Sequence, residues 1–120
     1  MQAPGPSQAF RPSSAFLIYA YDVAPGKAAA FAATLESELR TRITAVTALA
    51  AAVAVSDIVI TCTTAHRFFI TREMVRPGTF VAGVGADNED NQELDPALLA
   101  HATLVTDLRA RRANWRHTLT

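Results

Sequence analysis

The sequence predicts an α/β fold with a mainly parallel sheet and flanking helices. Three observations carry that prediction. Short β-branched and aromatic runs alternate with Ala/Leu-rich stretches whose apolar residues recur at helical spacing. One run, "DIVITCT", is uninterrupted, the mark of a strand covered on both faces. Three strand-like segments end in polar or glycine residues: Asp22, the "TCTT" of Thr61 to Thr64, and the "GVGAD" of Gly83 to Asp87. In parallel α/β sheets ligands sit outside the carboxyl ends of the strands, so these three ends are expected along one edge.

The elements follow in order. The Pro/Gly/Ser-rich stretch to Ser14 reads as an irregular arm. "AFLIYAY", closed by Asp22, is a buried strand near 15–21. "PGKAAAFAATLESELR" is a helix, with Pro25 suited to a first helical position and Ala28, Phe31, Ala32, Leu35 and Leu39 on one face. A short strand "RITAV" precedes an Ala-rich helix capped by Thr47. After the strand near 57–61, "TREMV" makes one or two helical turns, capped by Thr71 and stopped by "RPG". "TFVAGVG" is a strand near 79–84, and "DPALLAHA" a helix with an Asp cap and Pro96 in its first turn. A strand near 103–106 and a basic helix or tail complete the chain. Sequential parallel strands joined by right-handed crossovers are the natural packing for this order.

Composition narrows the function. A chain of 120 residues suits one domain, and 50% hydrophobic residues favour a packed core over disorder. Lys+Arg and Asp+Glu both total 11, which argues against a dedicated binder of nucleic acid or anionic membrane. The single cysteine, Cys62, cannot form an intrachain disulfide, so a reducing compartment, the cytoplasm, is the simplest location. "MQAPGPSQAF" lacks the basic and apolar regions of a secretory signal, and the most apolar run, Ala45 to Val55, is too short to span a bilayer.

The stretch "VGADNEDNQELDP" can be tested as a calcium loop. Counted from Asp87, Glu89 and Asn91 suit positions three and five. Gln92 stands where the sharp turn needs glycine, and Leu98 where a bidentate Glu is needed. The calcium reading fails. A solvated loop and an active-site edge remain, and Gly83 and Gly85 favour the second because glycine permits close backbone approach by a ligand. Asp22 either caps the turn after its strand or accepts hydrogen bonds from a ribose. Cys62 is expected as a small buried hydrophobe, without a basic partner nearby in sequence. His66, His101 and His117 show no metal-ligand spacing and are expected at the surface. No G-x-S-x-G elbow, C-x-x-C pair or phosphate-loop lysine motif occurs.

"YDVAPGKAAAFAATL", "DIVITCTT", "MVRPGTFVAGVGAD" and "ELDPALLAHATLVTD", in this order and spacing, resemble the ornithine cyclodeaminase/mu-crystallin family. The resemblance runs from about Phe16 to Arg109. It implies a Rossmann-like domain and NAD as cofactor. Asp22 matches the family's ribose-binding acid, whose charge would disfavour the 2′-phosphate of NADP. Cys62 and Thr63 match residues that line the nicotinamide nucleotide, and Val84, Gly85 and Ala86 match the backbone turn on the nicotinamide side. Asp87 matches the catalytic acid/base of the cyclodeaminases, with "NEDNQ" as a solvated lip. In that chemistry NAD takes a hydride from the ornithine α-carbon, the δ-amine attacks the imine, ammonia leaves, and the hydride returns to give proline. A carboxylate suits the proton transfers if enclosure raises its pKa.

The chain also departs from the family. The first strand and glycine-rich turn expected before "AFLIYAYD" are replaced by "MQAPGPSQAFRPSS", where Gly5 and the "SQA" of Ser7 to Ala9 only faintly resemble that turn. The substrate-domain residues of the family have no counterpart, and the tail after Arg109 leaves the pattern. The expected organisation is an arm at 1–14, a partial NAD-binding domain at 15–109 and a basic tail at 110–120. The expected function is ornithine cyclodeaminase-like NAD-dependent chemistry on an amino or imino acid, incomplete as a single chain. A homo-oligomer or a complementing chain would supply the rest, with no nucleic-acid or membrane partner. The alternative is a non-catalytic remnant that acts at most as a partial nucleotide-binding or interaction module.

Overall fold

Strands and helices alternate, and the strands pair in parallel, as expected. The computed structural model describes residues 16–86 and 90–105. The N-terminal arm, Asp87 and the basic tail lie outside them. The chain divides into two compact units, Met1–Ala52 and Val53–Thr120.

In the first unit, β1 (Ile18–Ala20), helix α1 (Pro25–Leu39) and β2 (Ile43–Ala45) follow one another. β1 and β2 pair in parallel, Ile18 opposite Ile43 and Ala20 opposite Ala45. Pro25 takes the first helical turn, where its missing N–H is no loss. Ala20, Ala32 and Ile43 are buried together, with Leu35 packed against them. Ala28 is also buried, so the helix presents small side chains on its inner face and can approach the strands closely. Ile43 is the large side chain of this core, and its burial contributes roughly 1.5–3 kcal/mol. Phe31 and Leu39 belong to the expected apolar stripe, yet they are exposed. Phe31 flanks the buried line, and Leu39 is the last residue of a 15-residue helix packed on strands of only 3 residues, so it overruns them. The helix ends on Arg40, which is left-handed at φ 52° and donates its N–H to the Glu36 carbonyl at 3.0 Å.

Helix α2 (Leu49–Ala54) begins one residue later than a Thr47 cap requires, so Ala48 precedes its first residue. In the second unit, β3 (Ile58–Thr61) and β4 (Phe80–Gly83) pair in parallel, Ile58 opposite Phe80 and Thr61 opposite Gly83. Between them, Arg72–Met74 form a single 3₁₀ turn, to which Thr71 gives no side-chain cap. The chain then turns at Arg76–Thr79, where Gly78 has φ +87° and Thr79 N–H bonds the Arg76 carbonyl at 3.2 Å, a Pro-Gly turn of the type that needs glycine third. Helix α3 (Pro96–Ala100) starts on Asp95, whose side chain accepts from the Ala97 N–H at 2.9 Å, as expected.

Three expectations need correction. β3 is not covered on both faces: Val59 and Thr61 are buried while Ile58 and Ile60 are 57% and 64% exposed. Described residues 103–105 form no strand. The described ladders are two two-stranded sheets, β1–β2 and β3–β4, rather than one sheet.

Candidate functional site

The carboxyl ends of β3 and β4 carry the best-defined polar arrangement. The ladder stops at the Thr61–Gly83 pair, and the Thr61 carbonyl then accepts from the N–H groups of both Val84, at 2.7 Å, and Gly85, at 3.2 Å. Beyond that point no backbone hydrogen bond joins the two strand ends among the described residues. The side chain of Glu93 takes this place. Its Oε1 accepts from the Thr61 hydroxyl and from Gly85 N–H, both at 2.8 Å, and its Oε2 accepts from Thr63 N–H at 2.7 Å.

Glu93 is wholly buried. No cation is paired with it among the described residues, so its stabilisation comes from these three donors. A buried carboxylate would otherwise be expensive, and hydrogen bonds to an ionised acceptor are the strong kind. Its backbone is fixed as firmly. Phe69 and Ile70 donate their N–H groups to the Glu93 carbonyl at 3.0 and 3.1 Å, and Asp95 N–H returns to the Ile70 carbonyl at 2.9 Å. Ile70 and Leu94 thereby form an isolated parallel bridge, and both are buried.

Both glycines answer to this packing. A Cβ on Gly83 would lie 3.1 Å from Leu94 Cδ1. A Cβ on Gly85 would land on the Thr63 backbone and the Glu93 carboxylate. Gly85 is thus required by the protein's own close approach. This cause stands beside the expected one, close backbone approach by a ligand.

The expected residues of this region take different positions. Cys62 is exposed rather than buried, because alternation along the strand turns Thr61 inward and Cys62 outward. Thr63 is exposed, and its hydroxyl accepts from Ala65 N–H at 3.2 Å. Val84 is 61% exposed, while Gly85 and Ala86 are half-buried. Asp87, Asn88 and Glu89 lie outside the described residues. The lip is less solvated than expected: Asn91 donates to the Gly85 carbonyl at 3.2 Å and Gln92 N–H to the Ala65 carbonyl at 2.8 Å. His66 is exposed, and its Nδ1–H donates to the Asp90 carbonyl at 2.8 Å. His101 is also exposed, and no group of metal-ligating side chains occurs among the described residues.

In the first unit, Asp22 stands two residues past β1, half-buried. Its Oδ1 accepts from Ala24 N–H at 2.8 Å, which caps the turn into α1. Its Oδ2 has no hydrogen-bond partner among the described residues. The capping and ribose-binding roles are therefore compatible: one oxygen orients the carboxylate, and the other suits a hydroxyl donor such as a ribose.

Sequence reasoning missed Glu93. It sits in a run of acidic and amide residues that reads as solvent-facing, and its donors Thr61 and Thr63 are 32 and 30 residues away. The available signal was its neighbours: an apolar Leu94 and a helix cap at Asp95 show that the chain has already returned to the core.

The sequence profile of the ornithine cyclodeaminase/mu-crystallin family matches residues 8–114. The match begins inside the expected arm and passes Arg109. The Delta(1)-pyrroline-2-carboxylate reductase of Paracoccus denitrificans is 46% identical over 65 residues, 54% of this chain and 21% of that protein. The ketimine reductase mu-crystallin of Mus musculus is 34% identical over 79 residues, 66% of this chain and 24% of that protein. Among solved structures, the Delta(1)-pyrroline-2-carboxylate reductase of Thermococcus litoralis, in complex with NADH and L-proline, superposes with a TM-score of 0.61 at 29% identity. That likeness covers 69% of this chain and 26% of the other. The chain thus spans about a quarter of the length of the relatives it matches. No described helix is long and apolar enough to cross a membrane.

Proposed function

This chain belongs to the ornithine cyclodeaminase/mu-crystallin family, and we propose that it forms the nucleotide-side segment of an NAD(P)-linked enzyme acting on an amino or imino acid. The observation that supports this most is the pair of parallel strand ends, β3 and β4, held at a fixed spacing by Glu93 with Thr63 and Cys62 exposed above them. In this reading Asp22 accepts hydrogen bonds from the adenosine ribose. Thr63, Cys62 and the Val84-Gly85-Ala86 turn line the nicotinamide side, and Asp87 moves protons at the substrate nitrogen. The bound nucleotide would supply hydride transfer to or from a carbon that carries nitrogen.

Reduction of a cyclic imine is the preferred reaction, since the named relatives are a pyrroline-carboxylate reductase and a ketimine reductase. Ornithine cyclodeamination is the second reading, favoured by the placement of Asp87 directly after a glycine-containing strand end. It needs the same hydride step and an added loss of ammonia.

Cys62 offers a direct test because it is exposed and is the chain's single cysteine. NADH should slow its alkylation by iodoacetamide, and NADPH should do so less, because Asp22 opposes a 2′-phosphate. A labelling rate indifferent to saturating NADH would count against the nucleotide reading. Stronger protection by NADPH would count against the role of Asp22.

A further inference from the structure

We propose that Glu93 is a positioning residue for the nicotinamide half of the nucleotide, an inference that rests on the function proposed above. Its carboxylate ties the two strand ends together beyond their ladder, through Thr63 N–H on one side and Gly85 N–H on the other. Thr63 and Gly85 are residues assigned to the nicotinamide side. Glu93 itself is wholly buried beneath them and does not reach solvent. It therefore acts through the backbone above it, by fixing the spacing and direction of those two strand ends.

Three features separate this arrangement from an ordinary buried contact. Among the described residues, every hydrogen bond the side chain makes is to the strand ends, including the Thr61 hydroxyl at 2.8 Å. Gly85 lacks the Cβ that would collide with both Thr63 and Glu93, so the three residues fit only as a set. The loop that carries Glu93 is itself held by Phe69, Ile70 and Asp95, which makes it a rigid support. A site is accurate when its contact residues are locked by a supporting shell of hydrogen bonds, and a shift of 1 Å is enough to spoil it.

The experiment is saturation-transfer difference NMR on the full chain with NADH, a method suited to weak binding. It reads the nicotinamide and adenine protons of one ligand separately. Wild type should saturate both rings. Glu93→Gln keeps the shape but leaves one backbone N–H facing an amide NH₂. It should keep the adenine signal and lower the nicotinamide-to-adenine ratio by about tenfold, the equivalent of roughly 1.4 kcal/mol of lost positioning. Gly85→Ala crowds the same backbone from the opposite side and should lower the ratio in the same direction. It covers the case in which Glu93→Gln fails to hold a dispersed amide spectrum. An unchanged ratio in a folded variant, or an equal loss on both rings, overturns the positioning role and leaves Glu93 as a structural residue. A wild-type chain that saturates neither ring overturns the nucleotide reading, and this inference with it.

Discussion

Replacing Glu93 with glutamine should loosen the two strand ends locally, by an amount the geometry sets. The carboxylate receives the Thr61 hydroxyl and Gly85 N–H on one oxygen and Thr63 N–H on the other. Glutamine offers one oxygen and one NH₂. With its oxygen in the Oε1 position, Thr63 N–H faces a donor. With the amide turned over, Thr63 is served and Gly85 N–H faces a donor, while the Thr61 hydroxyl can rotate to accept. Either way one backbone N–H loses the Glu93 oxygen: Thr63 N–H loses the acceptor it has among the described residues, whereas Gly85 N–H keeps only the longer bond to the Thr61 carbonyl at 3.2 Å. A stranded donor costs about 1–3 kcal/mol when fully buried. Both amide contacts are only partly buried, so water recovers some of the loss and the lower half of that range applies. About 1–2 kcal/mol is a factor of roughly 5–30 in a local opening equilibrium. Residue-resolved amide hydrogen exchange should therefore show Thr63 or Gly85 exchanging faster by that factor, with Ala20 and Ile43 in the first unit unchanged. Local exchange suits this chain better than a single melting curve, because two compact units need not unfold together. Exchange at both amides within about twofold of wild type, the ~0.5 kcal/mol scatter of a neutral substitution, would refute the reasoning.

Arg40→Gly should stabilise the first unit by about 0.5–1 kcal/mol, since a non-glycine residue at φ 52° is strained and its N–H bond to Glu36 would be kept; slower exchange at the end of α1 would show it. Asp95→Ala should destabilise the second unit by about 1 kcal/mol, because Ala97 N–H, at 2.9 Å, and Arg72 N–H, at 3.4 Å, both lose an acceptor; a lower urea midpoint is the check. For the chemistry, the segment should be grafted into a full-length relative in place of the matching stretch. Turnover of imine or of ornithine should then fall with Asp87→Asn by at least about 100-fold, the usual contribution of general acid/base catalysis, and change little with Asp90→Asn. Full activity in the first graft together with loss in the second would reverse the assignment within the loop.

What was legible in the sequence and what was not divide along the range of the interactions. β1, α1, β2, β3 and β4 were readable because each depends on residues a few positions apart: a β-branched run, a proline at the helix start, alanines at helical spacing. The Asp95 cap and the Pro77-Gly78 turn were readable for the same reason. The extent of burial was not. "DIVITCT" promised a strand covered twice, yet coverage of its second face depends on neighbours that a local pattern does not specify. Phe31 and Leu39 fit the helical stripe and still stand exposed, because Phe31 flanks the buried line and the strands beneath α1 are too short to meet Leu39.

Glu93 shows the same division at the candidate site. Asp22 could be singled out because a strand end followed by a helix is a local event, and the structure adds that its second oxygen has no hydrogen-bond partner among the described residues. Gly83 and Gly85 could be singled out as glycines, but the cause offered for them, approach by a ligand, left out the chain's own packing. The nearest atoms to an added Cβ belong to Leu94 for Gly83, and to Thr63 and Glu93 for Gly85. A glycine at a strand end thus has two physical explanations, approach by a ligand or approach by the chain itself, and composition does not distinguish them. At position 85 the second explanation makes the first possible. Because the chain packs so closely beneath this turn, the turn is rigid, and a rigid turn can hold the nicotinamide side of a nucleotide in one place.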